Sequence, residues 1–191
     1  TATWDFSTQT LPADGKSTAT LRVQLKQGNG QPVPDGTHVH LFGHGVNVDP
    51  AESKTKDGQV EVRIKSVLRP GQARITLNAG PLTEKRTFVL KAGGVKDLLI
   101  EGFGARPLDN EKSMQTATVK VQTVDQWGNG VPKQAIKCSV DGTEAVAFTT
   151  DHRGIMALDV EVSRQGGTFT VSHPTGGQQT YHIPAFESLK E

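Results

Sequence analysis

A chain of 191 residues with 21 Lys+Arg, 20 Asp+Glu and a formal net charge of +1 offers no polycationic surface, so neither nucleic acid nor an anionic membrane is an expected partner. No stretch approaches the roughly 18 apolar residues of a membrane helix, so no membrane insertion by this segment is expected. No window sustains an apolar i, i+3, i+4, i+7 pattern, whereas Gly (21) and Pro (10) are plentiful, which predicts many short strands joined by tight turns and no long helix.

In chain order, Ala2, Trp4 and Phe6 alternate and predict an opening strand. Asp14-Gly15 turns the chain. Ala19, Leu21, Val23 and Leu25 then face one way and Thr20, Arg22, Gln24 and Lys26 the other, the pattern of an antiparallel strand buried on one face. Gly28-Asn29-Gly30 offers positions that tolerate a positive φ, and Pro32 and Pro34 stop the ladder. Val39 and Leu41 lead the next strand. Residues 43–52 read as an irregular crossing or a short edge strand. Asp57-Gly58 signals a hairpin into Val60, Val62 and Ile64. Pro70-Gly71 precedes the alternating Ala73, Ile75 and Leu77, and residues 87–90 close the module.

Lys91-Ala92-Gly93-Gly94 marks the expected boundary between two domains, 1–92 and 93–191. Beyond it the order repeats, with strands expected at 98–102, 118–124, 135–140, 145–149, 155–162, 168–172 and 180–186. A charged loop covers 104–115 and includes Asp109. Residues 187–191 read as a frayed end or a cut joint, and the lack of an initiator Met or signal peptide as a mature chain or an excised fragment. LRVQLKQGNGQPVPDGTHVHLF (21–42) is answered by VKVQTVDQWGNGVPKQAIKCSV (119–140), and Val33-Pro34 by Val131-Pro132. A period of about one hundred residues is too long for a solenoid unit and fits one sandwich domain. About seven strands per module predict two tandem all-β, Ig-like antiparallel sandwiches of Greek-key topology, with a closed barrel as the alternative. The first half carries 12 Lys+Arg against 8 Asp+Glu and the second 9 against 12; this reads as chance variation on solvated faces, with head-to-tail contact between modules or chains as the alternative.

The run ADGKSTATLRVQLKQGNGQPVPDGTHVHLF from Ala13, then TKDGQVEVRI from Thr55 and PGQARITLNA from Pro70, resembles the bacterial Ig-like domains of the invasin and intimin group. Asp14, Gly15, Ser17, Asn29, Gly30, Pro32, Val33, Thr55, Asp57, Gly58, Gly71 and Ala73 occupy the places of that group's turn and strand motifs. The second half keeps Gly128-Asn129-Gly130-Val131-Pro132 and Thr150-Asp151 but has His152-Arg153 before Gly154 and lacks the Asp-Gly opening. The resemblance implies an extracellular or cell-surface bacterial protein, with the periplasm as the alternative. It implies non-enzymatic modules that act as stalk or spacer beside further Ig-like modules, or that contact a protein or glycan on a cell surface. Two other readings stay open: a carbohydrate-binding accessory module of a secreted enzyme, and an Ig-like connector of a pilus, phage or secretion apparatus.

Four residues stand out as ligand-contact candidates. His38 and His40 project from one strand face and, with His44 or Asp49, have the donor chemistry for zinc or copper; a zinc site ordinarily takes three or four protein ligands, which favours a solvent-facing role beside core Val39 and Leu41. Trp127 at a turn tip would anchor a partner, stack on a sugar ring, or pack on the linker. Asp14, Asp35, Asp57, Asp125, Asn129 and Asp151 are oxygen donors in loops, but calcium wants 6–8 oxygens and no dense Asp-x-Asp run supplies them. No cofactor is therefore expected. Cys138 alternates with Ile136 and Val140 and reads as a core thiol. GFGARP from Gly102 lacks the strand-then-helix context of a phosphate loop, and no G-x-S-x-G or H-E-x-x-H occurs, so no enzyme is expected.

Overall fold

The computed structural model describes residues 1–107 and 113–186, and its contacts divide the chain into two compact units, Thr1–Ala92 and Gly93–Glu191. The described residues form strands and turns without a helix. The centre of the charged loop (108–112, with Asp109) and the tail (187–191) lie outside the described residues.

In the first unit the strands are β1 (Ala2–Phe6), β2 (Thr10–Pro12), β3 (Thr18–Leu25), β4 (His38–His44), β5 (Asn47–Asp49), β6 (Glu52–Lys54), β7 (Gln59–Lys65), β8 (Gly71–Ala79) and β9 (Leu82–Lys91). They form one sheet of order β1-β3-β7-β5 and another of order β2-β9-β8-β4-β6. This is the Ig arrangement, in which the opening strand divides: β1 runs antiparallel to β3, then the chain crosses and β2 runs parallel to β9 in the facing sheet. Alternation does what the sequence requires. Leu21, Val23 and Leu25 of β3, Val39 and Leu41 of β4, Ile64 of β7, Ile75 and Leu77 of β8 and Phe88 of β9 are buried together between the sheets. Trp4 joins the core edge, where its Nε1–H donates to Glu84 (3.1 Å) and Arg86 lies 5.4 Å over its ring.

The second unit comprises β10 (Asp97–Pro107), β11 (Met114–Val124), β12 (Ala135–Val140), β13 (Val146–Thr149), β14 (Ile155–Ser163), β15 (Gly167–His173) and β16 (Gly177–Ile183), in sheets of order β10-β11-β14 and β13-β12-β15-β16. Its core holds Val119, Val121, Ile136, Cys138, Val162, Phe169 and Val171. Cys138 is a free, buried thiol, and burial pushes its pKa up to about 11.

One expectation needs correction. The stretch 104–115 is not wholly a loop. β10 and β11 pair from Asp97↔Val124 to Pro107↔Gln115, with a bulge between Phe103 and Ala105, because backbone pairing continues where side-chain alternation lapses. Of the two readings for residues 43–52, the short edge strand is the one found: β5 lies at the edge of its sheet, between the end of β4 and the start of β6. The two Gly-Asn-Gly triplets occupy different places within their turns. The turns superpose in sequence at the offset of 98 set by Val33-Pro34 and Val131-Pro132: Val33 N–H donates to Leu25 O (3.1 Å) as Val131 N–H does to Thr123 O (2.8 Å). The one positive-φ position of each turn is Gly30 (83°) and Gly128 (82°), and Asn29 and Gly130 do not share it. Asp125 thereby takes the place of Gln27.

Candidate functional site

The three strand histidines lie where alternation puts them. Val39 and Leu41 are fully buried, so His38, His40, Phe42 and His44 stand on the outer face of the five-stranded sheet. Cross-strand register builds three rows there: His40–Asn78–Thr83, Phe42–Thr76–Lys85 and His44–Arg74–Thr87. On the other side of β4, His38 faces Lys54 and His40 faces Glu52, whose carboxylate lies 3.4 Å from Nδ1. The His40 and Phe42 rings lie nearly parallel, 6.3 Å apart. Phe42 is 53% exposed, although it sits on an inner strand of the sheet. Parity alone could have found it, since a strand whose odd positions are core must point its even positions outward.

Among the described residues no group of three or more His, Cys, Asp or Glu converges on a point that could hold a metal ion. His38, His40 and His44 share a face without closing around a centre. Several of the loop carboxylates accept hydrogen bonds from the protein itself, within their turns and from neighbouring segments. Asp14 accepts N–H from Lys16 (2.8 Å) and Ser17 (2.7 Å) and O–H from Ser17 (2.6 Å) and Ser66 (2.7 Å). The two Ser17 bonds are the main reason its pKa falls far below the usual carboxylate range, with Ser66 and Lys16 adding to them. Asp151 likewise accepts N–H from Arg153 and Ile155, and Asp35 from Asp57.

Trp127 belongs to the second unit and is half-buried. Its N–H donates to Asp125 Oδ1 (2.9 Å), as does Asn129 N–H (2.9 Å), while Oδ2 accepts Gly93 N–H (2.8 Å) and the Asn129 amide (3.1 Å). A β-carbon on Gly93 would come within 3.0 Å of the Trp127 ring and 3.3 Å of Asp125 Cβ. Trp127 therefore packs on the segment that enters the second unit. Burial pushes Asp125 up, but the hydrogen bonds from Gly93, Asn129 and Trp127 outweigh it and hold the carboxyl below the ordinary range. The role of Asp125 escaped the sequence because its partner Gly93 lies 32 residues away.

No protein-family model and no curated protein matches the sequence. Among solved structures, InvD of Yersinia pseudotuberculosis superposes with a TM-score of 0.62 at 15% identity, covering 100% of this chain and 60% of that one. The adhesin InvE of the same organism superposes with a TM-score of 0.53 at 15% identity, covering 96% of this chain and 58% of that one. The chain thus spans less than two thirds of the length of either neighbour. At this identity the likeness establishes the fold: the chain has the all-β, Ig-like sandwich architecture of these invasin-group structures.

Proposed function

We propose that residues 1–92 and 93–191 are two bacterial Ig-like modules of a larger surface or secreted adhesin-type protein. They act as a non-enzymatic stalk that also offers its faces to a protein or glycan on another surface. The observation that supports this reading is the superposition of the full chain on InvD, together with that on a protein named as an adhesin. The chemistry of the turns is in keeping with it: the carboxylates of Asp14, Asp125 and Asp151 hold their own loops in shape. Antibodies raised against the 191-residue chain test it. Labelling of intact, unpermeabilised cells of the source bacterium, lost after external protease treatment, is the expected result. Labelling that appears only after lysis, with the antigen in the cytosolic fraction, would overturn it.

A further inference from the structure

The two outer faces of the first unit differ in charge. On the β1-β3-β7-β5 sheet, Arg22, Arg63 and Lys65 are matched by Asp5, Asp49 and Glu61, and Arg22 pairs with Glu61 at 2.7 Å. On the five-stranded sheet, Lys54, Arg74, Lys85 and Lys91 face outward with Glu52 as the sole carboxylate among the outward positions of its strands. Among the described residues none of those four cations makes an ion pair. Uncompensated charge of one sign over a face raises the local concentration of ligands of the other sign.

The grid between those cations is not built like a protein–protein interface. Such interfaces centre on clustered aromatic and aliphatic anchors. Here the exposed Phe42 stands beside the His40 ring, and the other apolar outward position in the strands paired through β8 is the half-buried Val89. The remaining positions, Thr76, Asn78, Thr83 and Thr87, are short hydroxyl and amide side chains on an antiparallel surface. With strands about 4.8 Å apart and like-facing residues about 6.8 Å apart along each strand, the nine positions cover about 10 by 14 Å. That is an elongated platform with one ring to lie against the C–H face of a sugar, polar groups for hydroxyls, and Arg74 and Lys85 for acidic substituents.

We propose that this face binds an acidic polysaccharide, with Phe42 and His40 as the stacking surface and Arg74 and Lys85 pairing with carboxylate or sulfate groups. This goes beyond the surface-module reading and does not depend on it, since the binding is a property of the isolated chain. The test measures binding of the 191-residue chain to heparin and to polygalacturonate, with neutral dextran and poly-L-glutamate as comparison polymers. Both acidic polysaccharides should bind, and dextran should not. Poly-L-glutamate should bind at least about tenfold more weakly, since it offers charge without a ring face. Phe42→Ala should weaken polysaccharide binding about tenfold. Arg74→Glu combined with Lys85→Glu should abolish it, and Arg63→Glu on the opposite face should leave it unchanged. Each variant's melting curve shows whether the fold is intact, and Phe42→Leu, which keeps the apolar volume but loses the ring, stands in if Phe42→Ala does not fold. Absence of binding to both acidic polysaccharides would overturn the proposal. So would equal binding to poly-L-glutamate with no effect of Phe42→Leu, which would mark the face as a charge surface for acidic protein. Either result would leave cell-surface labelling, and with it the proposed role, unaffected.

Discussion

Replacing Asp125 with alanine removes one carboxylate and strands several donors at once. The N–H groups of Gly93, Trp127 and Asn129 and the Asn129 side-chain amide lose their acceptor. Hydrogen bonds to a charged group contribute about 1.5–3 kcal/mol each, and the four are not additive because water reaches part of the vacated site. A loss of about 3 kcal/mol from the second unit is the expected net effect. Gln27 occupies the equivalent backbone position in the first unit, where its side chain reaches only the exposed Pro32 carbonyl at 3.1 Å. Gln27→Ala should therefore cost about 0.5 kcal/mol or less. Each unit holds one tryptophan, Trp4 or Trp127, so urea titration followed by fluorescence in a Trp4→Phe background reads the second unit alone. Hydrogen exchange at the Gly93 amide gives a local reading: Asp125→Ala should lose its protection while wild type keeps it. Because Asp125 titrates lower when folded than when unfolded, its contribution is full above about pH 4 and fades as pH falls below that. Unchanged Gly93 protection, or a second unit as stable as wild type, would refute the clamp.

Phe88→Ala empties the centre of the first core, where the ring is fully buried, and should cost that unit about 3–5 kcal/mol by urea denaturation while leaving the Trp127 signal in place. Asp14→Asn should lower the first unit's melting temperature at pH 7, because the carboxylate holds Ser17, Ser66 and Lys16. The gap between variant and wild type should narrow as pH falls below about 4, where the unfolded carboxyl protonates and the native carboxylate's advantage is lost. Cys138, buried and with its thiol pKa pushed up to about 11, should resist a disulfide-exchange reagent at pH 8 in the native chain and react promptly in denaturant.

Alternation carried the fold a long way. Residues 19–25 and 39–41 announced their buried faces because side chains on a strand must alternate, and Asp57-Gly58 announced its hairpin because both residues take positive φ (52° and 70°). What stayed hidden depends on partners far along the chain. The crossing from β1 to β2 is fixed by pairing with β3 and β9, and the Trp4–Glu84–Arg86 cluster joins residues about 80 positions apart. The register of the repeat, by contrast, was legible from Val33-Pro34 and Val131-Pro132, and the structure keeps it, with the positive φ at the fourth turn position in both units. Of the ligand-contact candidates, the shared outward face of His38, His40 and His44 was legible from parity. The cations beside it were not, because Arg74 and Lys85 arrive from β8 and β9. Trp127 was legible as a turn residue, while its seat on Gly93 was not.

The central claim is that two separately cored sandwiches make up this chain. Expressing residues 1–92 and 93–191 apart tests it most directly. Each piece should give a β-type circular dichroism spectrum and a single cooperative unfolding transition. A fragment that stays unfolded alone and orders only when mixed with the other would contradict the account.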